Sequence, residues 1–112
     1  MTILYADPAT LWERVLRKHV THTPGGCWEF TGCLNSKGYG CTAAGRKGKT
    51  VLTHRLAVIV RDGSIPQGMT VDHLCRNRRC CNPAHLEVVT NAENIRRGHA
   101  ARARDWQQRR AS

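Results

Sequence analysis

The 112-residue sequence is poor in several things, and each shortage narrows what the chain can be. It has a single phenylalanine, Phe30, and aromatic residues make up only 5% of it. Hydrophobic residues reach 40%, so a folded domain is possible, but its apolar core has to be small. Chains of this size commonly need a staple, either disulfides or a metal. Acidic residues are also scarce. Eight Asp+Glu face eighteen Lys+Arg, for a formal charge of +10. No run of about 18 apolar residues occurs, which excludes a membrane-spanning helix. The opening residues, MTILYADPAT, lack a basic stretch followed by an apolar one, so no secretory signal is expected and the protein is read as cytoplasmic. No internal repeat or low-complexity segment stands out.

What is present complements these shortages. Fourteen of the eighteen cations are Arg, whose flat fork suits phosphate. Six Cys and six His can supply the missing staple. In a chain with no export signal, six Cys read as metal ligands or free thiols rather than a disulfide framework. A basic domain rich in Cys and His points to a nucleic-acid partner.

The length fits one domain. Residues 7–20, DPATLWERVLRKHV, predict a helix with Asp7 as N-cap, Pro8 at its first position and Leu11, Trp12, Val15 and Leu16 on one apolar face. Thr23-Pro24-Gly25-Gly26 closes that unit. Turn signals at Asn35-Ser36-Lys37-Gly38 and Gly45-Arg46-Lys47-Gly48-Lys49 predict short antiparallel strands near 28–31, 38–44 and 49–53. Residues 54–62 read as a short helix stopped by Gly63. Val71 and Leu86-Glu87-Val88-Val89 suit two strands. Thr90, with Glu93 three residues on, caps a last helix from Asn91 to about Arg104.

Cys75, Cys80 and His85 fall at five-residue intervals, with Asn82 and Pro83 bending the chain between the last two. Three such ligands can converge on one Zn²⁺ at about 2.0–2.3 Å each. A closed site needs a fourth, and Cys27, Cys33, Cys41 and Cys81 are the candidates. We take Cys27, which the Gly25-Gly26 turn can deliver to the core with Trp28 anchoring the strand beside it. Cys33, Cys41 and Cys81 then read as small buried thiols.

Directly before this segment, Asp72 precedes His73. A carboxylate there can hold a hard divalent cation, and a neighbouring imidazole can take a proton from water. Asn94, on the first turns of the last helix, offers a second oxygen ligand. A strand, a metal loop, a second strand and a helix would bring Asp72, His73 and Asn94 together.

The segment VDHLCRNRRCCNPAHLEVVTNAEN resembles the ββα-metal motif of HNH endonucleases, closest to the phage HNH group and to the His-Cys box homing endonucleases. The resemblance extends back through Gly26-Cys27-Trp28, Thr31-Gly32, Gly38-Tyr39-Gly40, His54-Arg55-Leu56 and Ile65-Pro66, covering roughly residues 25–98. It implies an α+β chain with the small zinc-stapled ββα-metal (His-Me finger) fold, preceded by an N-terminal helix (1–24) and followed by a basic extension (99–112). It implies His73 as general base, Asn94 and Asp72 as ligands of a catalytic divalent cation, usually Mg²⁺, and His85 as a ligand of structural zinc with Cys75, Cys80 and Cys27. A literal H-N-H reading would instead join His73, Asn82 and His85. Asn82 beside Pro83 looks like a turn former, and one imidazole should not serve both metals.

The implied activity is metal-dependent hydrolysis of DNA phosphodiesters to 5′-phosphate and 3′-hydroxyl ends. Arg55 is the candidate for neutralising the phosphate. Arg46, Lys47, Lys49, Arg96, Arg97, Arg102 and Arg104 are the candidates for backbone contacts, which fix position more than sequence. A homodimer or phage packaging (terminase) proteins are the partners to consider, in the host cytoplasm if the chain is phage-encoded. The rival readings are a zinc-stapled DNA-binding module without catalysis and an RNA or ribosomal protein. Few aromatics suited to base stacking argues against the last.

Overall fold

The computed structural model describes residues 4–99 and has an α+β fold. Helix α1 (Pro8–Lys18) starts where Asp7 accepts a hydrogen bond from the Thr10 amide at 3.2 Å, with proline in the first turn. Arg17 and Lys18 in its last turn complement the helix dipole. Its inner face buries Leu11, Trp12 and Val15, whereas Leu16 faces solvent. The expected apolar face is thus one residue narrower. The helix also ends at Lys18, because Val20 is taken into a strand that the sequence reading did not foresee.

That strand, β1 (Val20–His22), pairs antiparallel with β2 (Trp28–Phe30), Val20 opposite Phe30. A second hairpin joins β3 (Cys41–Ala43) to β4 (Thr50–Leu52). Helix α2 (Thr53–Asp62) follows at once and ends at Gly63, whose φ of 91° is open to glycine and strained for other residues. The third hairpin pairs β5 (Met69–His73) with β6 (Leu86–Thr90), Val71 opposite Val88 and His73 opposite Leu86. A one-turn 3₁₀ helix, Pro83–His85, precedes β6. A last helix, α3, begins at residue 91 and is described to 99. Thr90 Oγ1 accepts from the Glu93 amide at 3.1 Å, the expected cap.

One core joins these pieces. Leu11, Trp12 and Val15 of α1 meet Leu56, Ala57 and Val58 of α2, Val51 of β4, Val71 and Leu86 of the third hairpin, and Phe30. The lone phenylalanine is 1% exposed and held between glycines: a Cβ on Gly40 would lie 2.7 Å from Phe30 Cδ1, and one on Gly32 would lie 2.7 Å from Phe30 Cζ. Backbone hydrogen bonds tie β2 to the segment between β5 and β6, with the Phe30 amide donating to Arg79 O at 2.8 Å and the Cys81 amide to Trp28 O at 2.9 Å. That stitching brings Cys27 to Cys75 and Cys80. Among the described residues, no helix is long and apolar enough to cross a membrane.

Candidate active site and metal centre

The side chains of Cys27, Cys75, Cys80 and His85 converge, their ligand atoms all within 4.8 Å of one another. Cys27 Sγ and Cys80 Sγ each lie 3.6 Å from His85 Nδ1. Tetrahedral bonds of about 2.3 Å to sulfur and about 2.1 Å to nitrogen place S and N about 3.6 Å apart, so the spacing and the donor set both suit Zn²⁺. The loop is shaped to hold these ligands. Asn82 caps the 3₁₀ turn that carries His85 by accepting from the Ala84 amide, and its Nδ2 donates to Gly26 O at 2.8 Å, fixing the turn that presents Cys27. The Asn82 amide points at Cys80 Sγ, 3.4 Å away, a bond that would steady a metal-bound thiolate.

The remaining cysteines divide differently from expectation. Cys81 is fully buried, and burial pushes its thiol up to about 12, so it stays a neutral donor toward Trp28 O. Cys33 is exposed and Cys41 half-buried: Cys41 starts β3, Cys33 accepts its amide hydrogen bond from the preceding segment, and both line an open groove with Arg46 and Lys49. They are not the buried thiols the composition suggested.

Next to the metal loop, β5 ends on two buried side chains, Asp72 and His73. They face a cavity of about 280 Å³ together with Tyr39, Val71, Arg76, Arg78, Asn94 and Gly98. Asp72, His73 and Asn94 therefore share one cavity. His73 Nε2 is 2.9 Å from the carbonyl oxygen of Cys80. A carbonyl only accepts, so Nε2 carries the hydrogen and Nδ1 is the basic nitrogen of the neutral ring. Burial lowers the His73 pKa. The Cys80 carbonyl and Asp72 pull it back up, and the Arg76 and Arg78 guanidiniums push it down.

Both carboxylate oxygens of Asp72 are engaged, Oδ1 by Arg76 at 2.9 Å and Oδ2 by Arg97 at 3.2 Å. Positive charge already gathers where a cation would bind. One carboxylate and one amide oxygen on a common cavity form a hard donor set that suits Mg²⁺, which keeps most of its own water and needs few protein ligands.

Behind His73 stands His54, from the first turn of α2. Its ring centroid is 4.6 Å from that of His73, and Tyr39 stacks on it at 5.0 Å. His54 is 5% exposed, and its Nδ1 has no hydrogen-bond partner among the described residues. Burial, then His73, then Arg55 lower its pKa to about 3. His54 was visible within the His54-Arg55-Leu56 match, but nothing in the sequence assigned it a role, since its contact with His73 exists only once α2 packs behind β5.

The basic candidates separate. Arg55 lines a different cavity with Ile59, Ile65 and Pro66, whereas Arg76 and Arg78 line the His73 cavity. Arg46, Lys47 and Lys49 lie at the tip of the β3–β4 hairpin, with Arg46 over the Tyr5 ring at 5.3 Å. Arg96 is well exposed and, among the described residues, pairs with Glu93 alone. Arg97 is bound by three carboxylates, Asp72, Glu87 and Glu93. Arg102 and Arg104 lie outside the described residues.

A family model described as HNH endonuclease matches residues 51–96, from β4 through the metal loop into α3. Similar curated proteins come from phages. "Protein 2.8" of Escherichia phage T7 is 42% identical over 84 residues, covering 75% of this chain and 56% of the relative. "Protein 7.7" of the same phage is 44% identical over 71 residues, covering 61% and 51%. The "Uncharacterized gene 5.3 protein" of Enterobacteria phage T3 is 35% identical over 77 residues, covering 58% and 75%. The chain thus spans about half the length of the two T7 proteins. No solved structure matches.

Proposed function

The chain belongs to the HNH endonuclease family, and on that footing we propose that it is a metal-dependent DNA endonuclease, cutting phosphodiesters to leave 5′-phosphate and 3′-hydroxyl ends. The observation that carries this reading is the pairing of a His73 ring, pinned through Nε2 to a backbone carbonyl, with Asp72 and Asn94 on the same cavity. In the proposed reaction His73 Nδ1 takes a proton from water as the water oxygen attacks phosphorus. The bond from phosphorus to the 3′ oxygen breaks opposite it, and that oxygen is protonated from solvent. Asp72 and Asn94 would hold the divalent cation. When bound, it supplies charge stabilisation to the phosphate and to the departing oxygen.

Cys27, Cys75, Cys80 and His85 would hold a structural zinc, which offsets the small core and fixes the loop carrying the Cys80 carbonyl. Arg46, Lys47, Lys49 and Arg96 are exposed enough to grip the DNA backbone, and Arg102 and Arg104 extend the same basic set in sequence. Arg97, committed to three carboxylates, instead supports Asp72. The phage relatives favour action in the cytoplasm of an infected cell.

The test is supercoiled plasmid incubated with the purified protein and Mg²⁺. Nicked or linear product carrying 5′-phosphate ends, abolished by EDTA, is expected. Salt-sensitive DNA binding with no nicking under any divalent ion would leave a zinc-stapled binding module instead.

A further inference from the structure

Two guanidiniums share the single buried carboxylate of the cavity, and they are not equivalent. Arg97 is fixed in place: Nη1 donates to Asp72, Nη2 to Glu87 Oε1 at 3.1 Å and Nε to Glu93 Oε1 at 3.1 Å. Its whole fork is used within the fold. Among the described residues, the Arg76 side chain pairs with Asp72 alone, at 2.9 Å, and it is 39% exposed. Arg78, the other cation on the cavity, is anchored through Lys37 O at 2.8 Å and over the Tyr39 ring. Arg76 is therefore the cation on this cavity that can leave its partner at least cost.

The backbone tells the same story. Arg76 has φ of 60°, alone among the non-glycine described residues in taking a positive value. It ends a tight turn in which its amide donates to His73 O at 3.1 Å. A left-handed conformation costs a branched or long side chain free energy, and such strain gathers at functional positions. Here the turn returns the arginine to Asp72, four residues back, on the lining of the cavity.

We propose that Arg76 is a substrate-binding residue: it caps Asp72 in the resting protein and passes to the scissile phosphate when a divalent cation and DNA bind. This rests on the nuclease reading above. With Arg97 fixed on Oδ2, a divalent cation on Asp72 needs Oδ1, the oxygen that Arg76 occupies, so Arg76 has to give it up when the cation is held. The released fork then faces a cavity that is about to receive a phosphate, the group it binds best. Because one residue serves both ligands, cation and DNA should each strengthen binding of the other.

The experiment compares zinc-loaded, full-length wild type with Arg76→Ala in two measurements. The first is Mn²⁺ affinity without DNA, by water-proton relaxation. The second is the single-turnover rate of plasmid cleavage. Removal of the competing cation should tighten Mn²⁺ binding by about tenfold, and loss of the phosphate contact should slow cleavage by at least about tenfold. Unchanged or weaker Mn²⁺ binding by a folded variant overturns the proposal. Tighter Mn²⁺ binding with undiminished cleavage overturns the transfer to phosphate. If Arg76→Ala does not fold, Arg76→Gln gives the same two readouts with the side-chain stem kept. A wild type that cuts no DNA overturns the nuclease reading, while the Mn²⁺ comparison still decides whether Arg76 caps Asp72.

Discussion

His73 Nε2 lies 2.9 Å from the carbonyl oxygen of Cys80, so the proposed base is oriented by the backbone of a residue whose thiol belongs to the Cys₃His group. The Cys₃His loop and the His73 cavity are one unit. A change that loosens the loop should release the imidazole as well.

Cys75→Ser should therefore lose two properties together. Elemental analysis should find about one zinc per wild-type chain and essentially none in the variant, and the variant's cooperative thermal unfolding should disappear. Cleavage should be lost with it. A variant that keeps stoichiometric zinc and a normal melt would refute the ligand set.

Asn94 is half-exposed on α3 and lines the His73 cavity. Asn94→Ala should leave stability within about 0.5 kcal/mol, since it removes no core contact. It should lower cleavage by about a hundredfold if its amide oxygen holds the cation. Paired thermal melts and nicking assays check both halves. Full activity in a normally folded variant would remove Asn94 from the site.

His54 predicts an acid sensitivity. Its folded-state pKa, about 3, lies below the ordinary 6.5. Between those values the unfolded chain binds a proton that the folded chain refuses. The stability this group allows is complete above pH 6.5 and falls as pH drops, by up to about 1.4 kcal/mol per pH unit. Denaturant unfolding between pH 7 and pH 4 should show a shallower decline for His54→Gln than for wild type. Identical slopes would contradict this.

Gly40 is needed for space. A Cβ there would meet Thr53 Oγ1 at 2.6 Å and the Phe30 ring at 2.7 Å, and both side chains are fully buried. Gly40→Ala should destabilise the fold by about 1–3 kcal/mol in chemical denaturation. A neutral effect would mean that Phe30 can move.

Much of this was legible in the sequence because local signals agreed with the fold. Asp7-Pro8, Gly63 and Thr90 set helix ends where caps and turns act within a few residues. The five-residue spacing of Cys75, Cys80 and His85 announced a metal loop, and the Gly25-Gly26 turn pointed to Cys27, which the fold brings into the group. What escaped depends on distant packing. Val20 becomes a strand only because Phe30 lies opposite it. The exposure of Leu16 and Cys33 and the half-burial of Cys41 follow from which side of the chain faces the core. The place of Arg76 depends on one left-handed residue that no periodicity encodes.

The most direct measurement is the rate at which His73→Ala nicks supercoiled plasmid in Mg²⁺, beside wild type, with zinc content and thermal melts confirming that both are folded. Loss of a general base predicts a fall of about 10²–10⁴-fold. A folded, zinc-loaded His73→Ala protein that cuts as fast as wild type would contradict the account.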